Sequence, residues 1–201
     1  MKRIIINKNL VASEIQRYIG PIDFGEETLA KLLRISTIEK IKKHDLFLKP
    51  GEVNDYMGVV LKGMIQIYHY HRNKLVSDFF AAEGCGFFDI NSFLLGTPAN
   101  CYFEALEPTV IAKFDRKKLL EQGEVDKDID LIYKRVLRYA IMTTNDRLNS
   151  ILHDTAEEKY INLEKRIPGL TSRISSINIA SYIGVTQETL CRIKAKQENL
   201  F

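Results

Sequence analysis

The sequence predicts an α+β chain in three parts: an N-terminal β-barrel or jelly roll, one long dimerisation helix and a C-terminal helix-turn-helix. Three observations predict it. Short β-rich runs between Asp45 and Phe114 are broken repeatedly by turn signals. The stretch from Asp126 to Leu152 holds neither Gly nor Pro and carries apolar residues at three- and four-residue steps. Ser176 to Lys194 has the spacing of two short helices about a glycine turn.

Composition allows this architecture and narrows the alternatives. The chain has 201 residues, 45% of them apolar, enough for one large domain or two small ones. Its formal charge of +3 is mildly basic and excludes little. Met1 to Leu10 has no signal-peptide core, and no apolar run is long enough to span a bilayer, so a soluble, cytoplasmic protein without a membrane partner is expected. Cys85, Cys101 and Cys191 lie far apart with no C-x-x-C pair, which fits reduced thiols and offers no metal site of zinc or iron–sulfur type.

Taken in order, residues 1 to about 40 read as helical: Ile15, Tyr18 and Ile19 recur at helical spacing, and Glu26 to Ile38 is a second amphipathic candidate. The β-rich region follows, punctuated at Lys49-Pro50-Gly51, Asn54-Asp55, Gly63, Arg72-Asn73-Lys74, Glu83-Gly84, Gly96-Thr97-Pro98 and Glu107-Pro108. In the long helix, Ile129, Ile132, Val136, Ala140, Ile141, Leu148 and Ile151 read as a coiled-coil seam, interrupted by Thr143, Thr144 and Asn145. The alternative is a helix packed on its own barrel. Thr155 and Glu158 then fit a capping box that starts a helix running to about Arg166, before Pro168-Gly169.

In the helix-turn-helix, Ile179, Ile183, Val185, Leu190 and Ile193 are the apolar set, with small Ala180 where two helices would cross. Gly184 suits the left-handed turn, and the Thr186 hydroxyl can cap the second helix. Between Arg173 and Lys196 the sole acidic residue is Glu188, a local positive bias that suits a phosphate backbone. The bland alternative is a buried helical hairpin with no ligand.

The order barrel, long helix, helix-turn-helix resembles the cyclic-AMP receptor / fumarate-nitrate regulator (CRP/FNR) superfamily of bacterial transcription factors. Three places carry the resemblance: Lys49-Pro50-Gly51-Glu52 with Val60-Leu61-Lys62-Gly63, like early barrel strands and their turn; Gly86 to Ala105, placed like the phosphate-binding cassette; and Ile179 to Lys194. The short form looks like regulators of Bacteroidetes-type bacteria. The resemblance implies a cyclic-nucleotide-binding-like sensor over 1–120, a dimerisation helix over 121–153 and a DNA-binding domain over 154–201. It also implies a homodimer on a near-palindromic double-stranded site, with half-sites roughly 34 Å apart, and RNA polymerase as a further partner.

Gln187, Glu188 and Arg192 fall where the family places base-reading residues. Arg192 can donate two bonds to guanine, Glu188 can accept from cytosine and Gln187 can pair with adenine. The plainer role for Glu188 is helix-dipole stabilisation. Ser176, Thr186, Lys194 and Lys196 are expected at phosphates, which sets register without reading sequence. The family often has Arg at the position of Gln187, which implies a different half-site. A β-hairpin wing commonly follows in the family, and only Ile193 to Phe201 remain here, which implies weaker or more salt-sensitive binding.

In the cassette the family uses an arginine for the phosphate and a carboxylate for the ribose. Asp89 falls at the carboxylate position, Phe88 where glycine is expected, Ala99 at the arginine position and Asn100 at that of a small hydroxyl residue. A charge-assisted bond contributes about 1.5–3 kcal/mol, so its loss argues against cyclic AMP. The pocket is then empty, filled by Phe87, Phe88 and Phe93, or adapted to a neutral or apolar effector. Thr143 and Thr144 either face it or break the dimer seam.

Two rivals remain. Gly63, five residues, then His69-Tyr70-His71 matches the opening of a cupin metal motif, but the required Glu is replaced by Leu75 or Val76, and two ligands under-coordinate a transition metal. A ligand-binding or interaction module with a vestigial helix-turn-helix is the other. No nucleophile–base pair or phosphate-binding loop appears in a fitting context, so no catalytic residue is assigned and no cofactor is expected.

Overall fold

The computed structural model describes Ser13 and residues 26–198. The helix expected around Ile15, Tyr18 and Ile19 lies outside the described residues. Glu26–Arg34 forms α1, with Glu26 and Glu27 in its first turn and Lys31 and Arg34 in its last, each at the favourable end of the helix dipole. The helix stops at Arg34 and does not continue to Ile38. Ser36-Thr37-Ile38 instead opens strand β1 (Ser36–Ile41), where β-branched side chains suit a pleated surface.

Seven more strands follow: β2 (Leu46–Leu48), β3 (Tyr56–Lys62), β4 (Ile65–His71), β5 (Lys74–Ala81), β6 (Gly86–Phe87), β7 (Tyr102–Ala105) and β8 (Thr109–Asp115). They form two four-stranded sheets, β1-β8-β3-β6 and β2-β7-β4-β5, with antiparallel pairs throughout. The expected barrel is therefore an open sandwich of jelly-roll type. β2 and β6 are too short to carry hydrogen bonding around the corners, so each sheet keeps its edges. Gly63 makes the β3–β4 turn at φ +95°, and a Cβ there would meet Thr109 Oγ1 at 2.5 Å, which explains the glycine of the Lys62-Gly63 pair.

A short helix α2 (Ile90–Leu95) lies between β6 and β7. After β8 come α3 (Arg116–Val125) and the long α4 (Lys127–His153). Asp126 starts α4 by accepting from the backbone N–H groups of Asp128 and Ile129, and its carboxylate also takes Lys31 of α1 at 2.8 Å. The C-terminal helices are α5 (Ala156–Arg166), α6 (Leu170–Arg173), α7 (Ser176–Ile183) and α8 (Gln187–Glu198). The Thr155–Glu158 capping box is present as expected.

The buried residues fall in three clusters. Val60, Ile65, Phe87, Phe103 and Ile111 fill the space between the sheets. Leu32, Met57, Phe93, Ile129 and Ile132 seat α1 and the start of α4 on the first sheet. The third joins Met64, Phe80 and Leu106 of the sandwich to Leu163, Leu170, Ile179 and Leu190, so the C-terminal helices share a core with the second sheet.

Polar contacts fix that join. β5 is an edge strand with a bulge: Ile67 pairs with Phe79 and Tyr68 with Ser77, leaving Asp78 as the extra residue. The outward Ser77 N–H donates to Ser181 Oγ of α7 at 2.9 Å, and the same hydroxyl donates to Leu75 O at 2.7 Å. One side chain thus satisfies a donor and an acceptor that a neighbouring strand would otherwise take. Below it, Arg173 grips both Glu83 oxygens (2.9 and 3.0 Å), Gly63 O at 3.2 Å and the Glu107 carboxylate. Glu107 and Glu83 hold the Arg173 guanidinium firmly charged. Burial pushes the Glu83 carboxyl up, but Arg173 and backbone N–H donors outweigh it and leave the group below its ordinary range.

Replacing Ser181 with Ala leaves the two β5 groups without that partner, and a loss of about 1–3 kcal/mol is expected in denaturant unfolding, with faster hydrogen exchange at the Ser77 amide. Because the Glu83 pKa is depressed in the fold, its contribution is complete above its unfolded value near pH 4.5 and is lost as pH falls through the lower folded value. A Glu83→Gln variant is therefore expected to flatten the acid limb of a pH–stability curve in that window.

Candidate effector pocket and nucleic-acid interface

A cavity of about 420 Å³ opens between the second sheet, the cassette and α4. Val76, Asp78 and Phe79 of β5 form one wall, Phe87, Phe88, Asp89 and Asn91 a second, and Thr143, Thr144, Arg147 and Ile151 of α4 a third. Of the residues expected to line an effector site, Phe88, Asp89, Thr143 and Thr144 do so. Ala99 and Asn100 are not among the lining residues. Ala99 is buried against the sandwich, its N–H bonded to Glu52 O and its carbonyl to Gly51 N, while Asn100 is exposed. Phe93 is fully buried in the core instead of filling the cavity, whereas Phe87 and Phe88 are buried residues that line its wall.

The cassette is already furnished with an anion. Asp89 is the N-cap of α2, and its Oδ1 accepts from the Ser92 N–H at 2.7 Å. Its Oδ2 takes the Cys101 thiol at 3.3 Å. The Phe93 N–H goes to the Asp89 carbonyl, and the Asp89 N–H to Asn54 Oδ1 at 2.8 Å. Three backbone donors at this turn, the N–H groups of Asp89, Ser92 and Phe93, are thus engaged within the chain. Burial and the neighbouring Asp89 charge push the Cys101 thiol well above its ordinary range, so it stays protonated.

Sequence reasoning missed Arg147. It is half-buried on α4 and reaches across to α7, where its Nη2 donates to Tyr182 O and its guanidinium lies 3.7 Å from the Tyr182 ring centroid. The one available signal was its place a turn beyond Thr143 and Thr144 on the same face; a lone arginine on a long helix otherwise reads as a solvated residue.

The helical hairpin has the local chemistry expected of it. Ser175 caps α7, Gly184 ends it at φ +76°, and Thr186 Oγ1 accepts from the Thr189 N–H at 3.2 Å. α8 buries Leu190 and turns Gln187, Glu188, Cys191 and Arg192 to solvent. Glu188 and Arg192 form a loose i,i+4 pair at 3.8 Å with side chains 84% and 72% exposed, so both are free to turn to another partner. Lys194 Nζ donates to Ser176 Oγ at 3.3 Å, which brings two expected phosphate contacts together. Lys196 instead pairs with Glu157 of α5 at 2.6 Å, and Thr186 is exposed.

His69 and His71 do not gather a metal site. His69 Nδ1 bonds Asp78 at 2.8 Å, His71 is exposed, and among the described residues no group of three or more His, Cys, Asp or Glu side chains converges. No described helix is long and apolar enough to cross a membrane.

Residues 38–125 match the cyclic nucleotide-binding domain family. No curated protein matches the chain. Among solved structures, FixK2 from Bradyrhizobium japonicum is 17% identical, with 83% of this chain and 86% of that one covered and a TM-score of 0.70. The c-di-GMP responsive global regulator CLP from Xanthomonas campestris is 12% identical, with 87% and 92% covered and a TM-score of 0.67. CprK complexed with OCPA is 17% identical, with 86% and 83% covered and a TM-score of 0.60. The domain match covers the sandwich region, and the likeness to these regulators shows a shared fold.

Truncating the resident cap, Asp89→Ala, is expected to cost about 1 kcal/mol of stability in denaturant unfolding, as loss of an N-cap does elsewhere.

Proposed function

We propose that this chain is a bacterial transcription regulator of the CRP/FNR type, a homodimer that reads double-stranded DNA with α8 and does not respond to cyclic AMP. The observation that carries the reading is the solvent face of α8. Gln187, Glu188 and Arg192 lie together there, on a helix whose opposite face is anchored by buried Leu190. Arg192 suits a guanine edge and Glu188 a cytosine amino group, and turning them to bases breaks only a loose exposed pair. Lys194 and Ser176 sit together at the flank, where a phosphate would dock.

Dimerisation draws support from α4. Ile141, Leu148 and Leu152 are large, apolar and more than half exposed, and with Asn145 they step by four, three and four residues along one face. That is the spacing of a coiled-coil seam, with Asn145 at the single polar position that can set register; Ile129, Ile132, Val136 and Ala140, expected in the seam, instead pack on the chain's own sandwich, and Ile151 lines the cavity. Thr143 and Thr144 line the cavity and leave the seam uninterrupted at their positions. Against cyclic AMP stand the missing cassette arginine at Ala99 and the Asp89 carboxylate at the head of α2.

Selection of bound duplexes from a random DNA pool is expected to enrich a two-fold symmetric site. Arg192→Ala is then expected to cost about ten- to a hundredfold in affinity and to relax specificity at one base pair, while Lys194→Ala weakens all sequences alike and reduces the salt slope by about one. Binding that is absent, or indifferent to salt, would favour the ligand-module alternative. Leu148→Glu is expected to shift the protein towards monomer in sedimentation velocity. Titration calorimetry with cyclic AMP at millimolar concentration is expected to give no heat, and micromolar binding would overturn that part of the reading.

A further inference from the structure

Arg147 stands where three parts of the molecule meet. It projects from α4, lines the 420 Å³ cavity and bonds the last turn of α7 through Tyr182 O. Among the described residues no carboxylate lies within ion-pair distance of it. Its hydrogen-bond partner is a neutral carbonyl, and one such bond leaves most of the five guanidinium donors available. Burial, with the neighbouring Arg166, disfavours its charge, and Tyr182 and Asp78 offset this only in part, so a counter-charge in the cavity would be welcome. Of the two carboxylates on the cavity wall, Asp78 bonds His69 while its charge also acts on Arg147 without a direct ion pair, and Asp89 bonds Ser92 N–H and Cys101. Their presence still opposes a multiply charged guest. The aromatic rings of Phe79, Phe87 and Phe88 supply an apolar lining of the kind that small-molecule sites use.

We propose that this cavity binds an organic monoanion, a single carboxylate, sulfonate, phenolate or phosphodiester on an apolar body, with Arg147 of the long helix as its counter-charge. This replaces the neutral or apolar effector expected from the cassette alone. The cation comes from α4, which the cassette positions do not reveal. Because the same guanidinium holds Tyr182, occupancy of the cavity and the seating of α7 are linked equilibria. That consequence rests on the regulator reading; the binding itself does not.

The test uses the full chain and two naphthalene probes of similar shape, anionic 1-anilinonaphthalene-8-sulfonate and neutral N-phenyl-1-naphthylamine, followed by fluorescence titration. The sulfonate is expected to bind the unmodified protein. Arg147→Met should weaken it by about ten- to a hundredfold and change the neutral probe by less than about twofold, with Arg147→Lys in between. Thr143→Trp, which fills the cavity, should remove both. The proposal is overturned if the sulfonate fails to bind, if Arg147→Met leaves it unchanged or weakens both probes equally, or if Thr143→Trp leaves it in place. Displacement of the sulfonate by cyclic AMP, lost in Arg147→Met, would support the monoanion site and overturn the cyclic-AMP part of the regulator reading; no displacement would point to a non-nucleotide acid. Failure to select a DNA site alongside Arg147-dependent sulfonate binding would sink the regulator reading alone. Successful selection with an indifferent Arg147 would sink this proposal alone.

Discussion

The open edge of β5 is the constraint on which the arrangement of this molecule depends. A sandwich that does not close leaves backbone donors and acceptors along its terminal strands, and such edges need a covering. Here the covering is a helix. Ser181 presents one hydroxyl that accepts from Ser77 N–H and donates to Leu75 O, replacing the bonds of a missing strand. Phe80 and Tyr182 pack face to tilted face behind it at 5.3 Å, and Arg173 locks the lower rim to Glu83 and Glu107. The helices are thereby seated on the second sheet, and the face of α8 that carries Gln187, Glu188 and Arg192 is left outward.

The same strand serves the cavity from its other side. The bulge at Asp78 puts an extra residue into β5, and Asp78 and Phe79 form part of the wall, while the neighbouring Ser77 N–H points to α7. A guest in the cavity and the helical hairpin are therefore one strand apart. Arg147 spans the remaining gap from the long helix. Interfaces of this kind are close-packed, so a displacement on one side has few places to go except across.

What the sequence made legible was the chemistry that acts over a few residues. The Gly184 turn, the Thr186 cap, the Thr155–Glu158 box and the start of α4 after Asp126 are all set by neighbours within one helical turn, and each is found where expected. The end of α1 was misread because Ile35 to Ile38 satisfies a helical apolar pattern and a β-branched strand equally, and only pairing with β8 decides between them. Ala99 and Asn100 were placed at the pocket by position in a resembling cassette, but their direction depends on the bonds of Ala99 to Gly51 and Glu52, residues distant in sequence. Arg147 was invisible for the same reason: its partners are in another helix and another sheet. Local rules reach the caps and turns; the site is assembled by contacts a linear pattern does not encode.

Asp89 carries a last consequence. Its carboxylate sits at the head of α2 and bonds the backbone there, so an intramolecular anion already occupies a donor that an incoming anion would need. A free phosphate arriving at that turn competes with a group that never diffuses away. Placing an arginine at Ala99 would not by itself free the head of α2, because Asp89 would still accept from the Ser92 N–H.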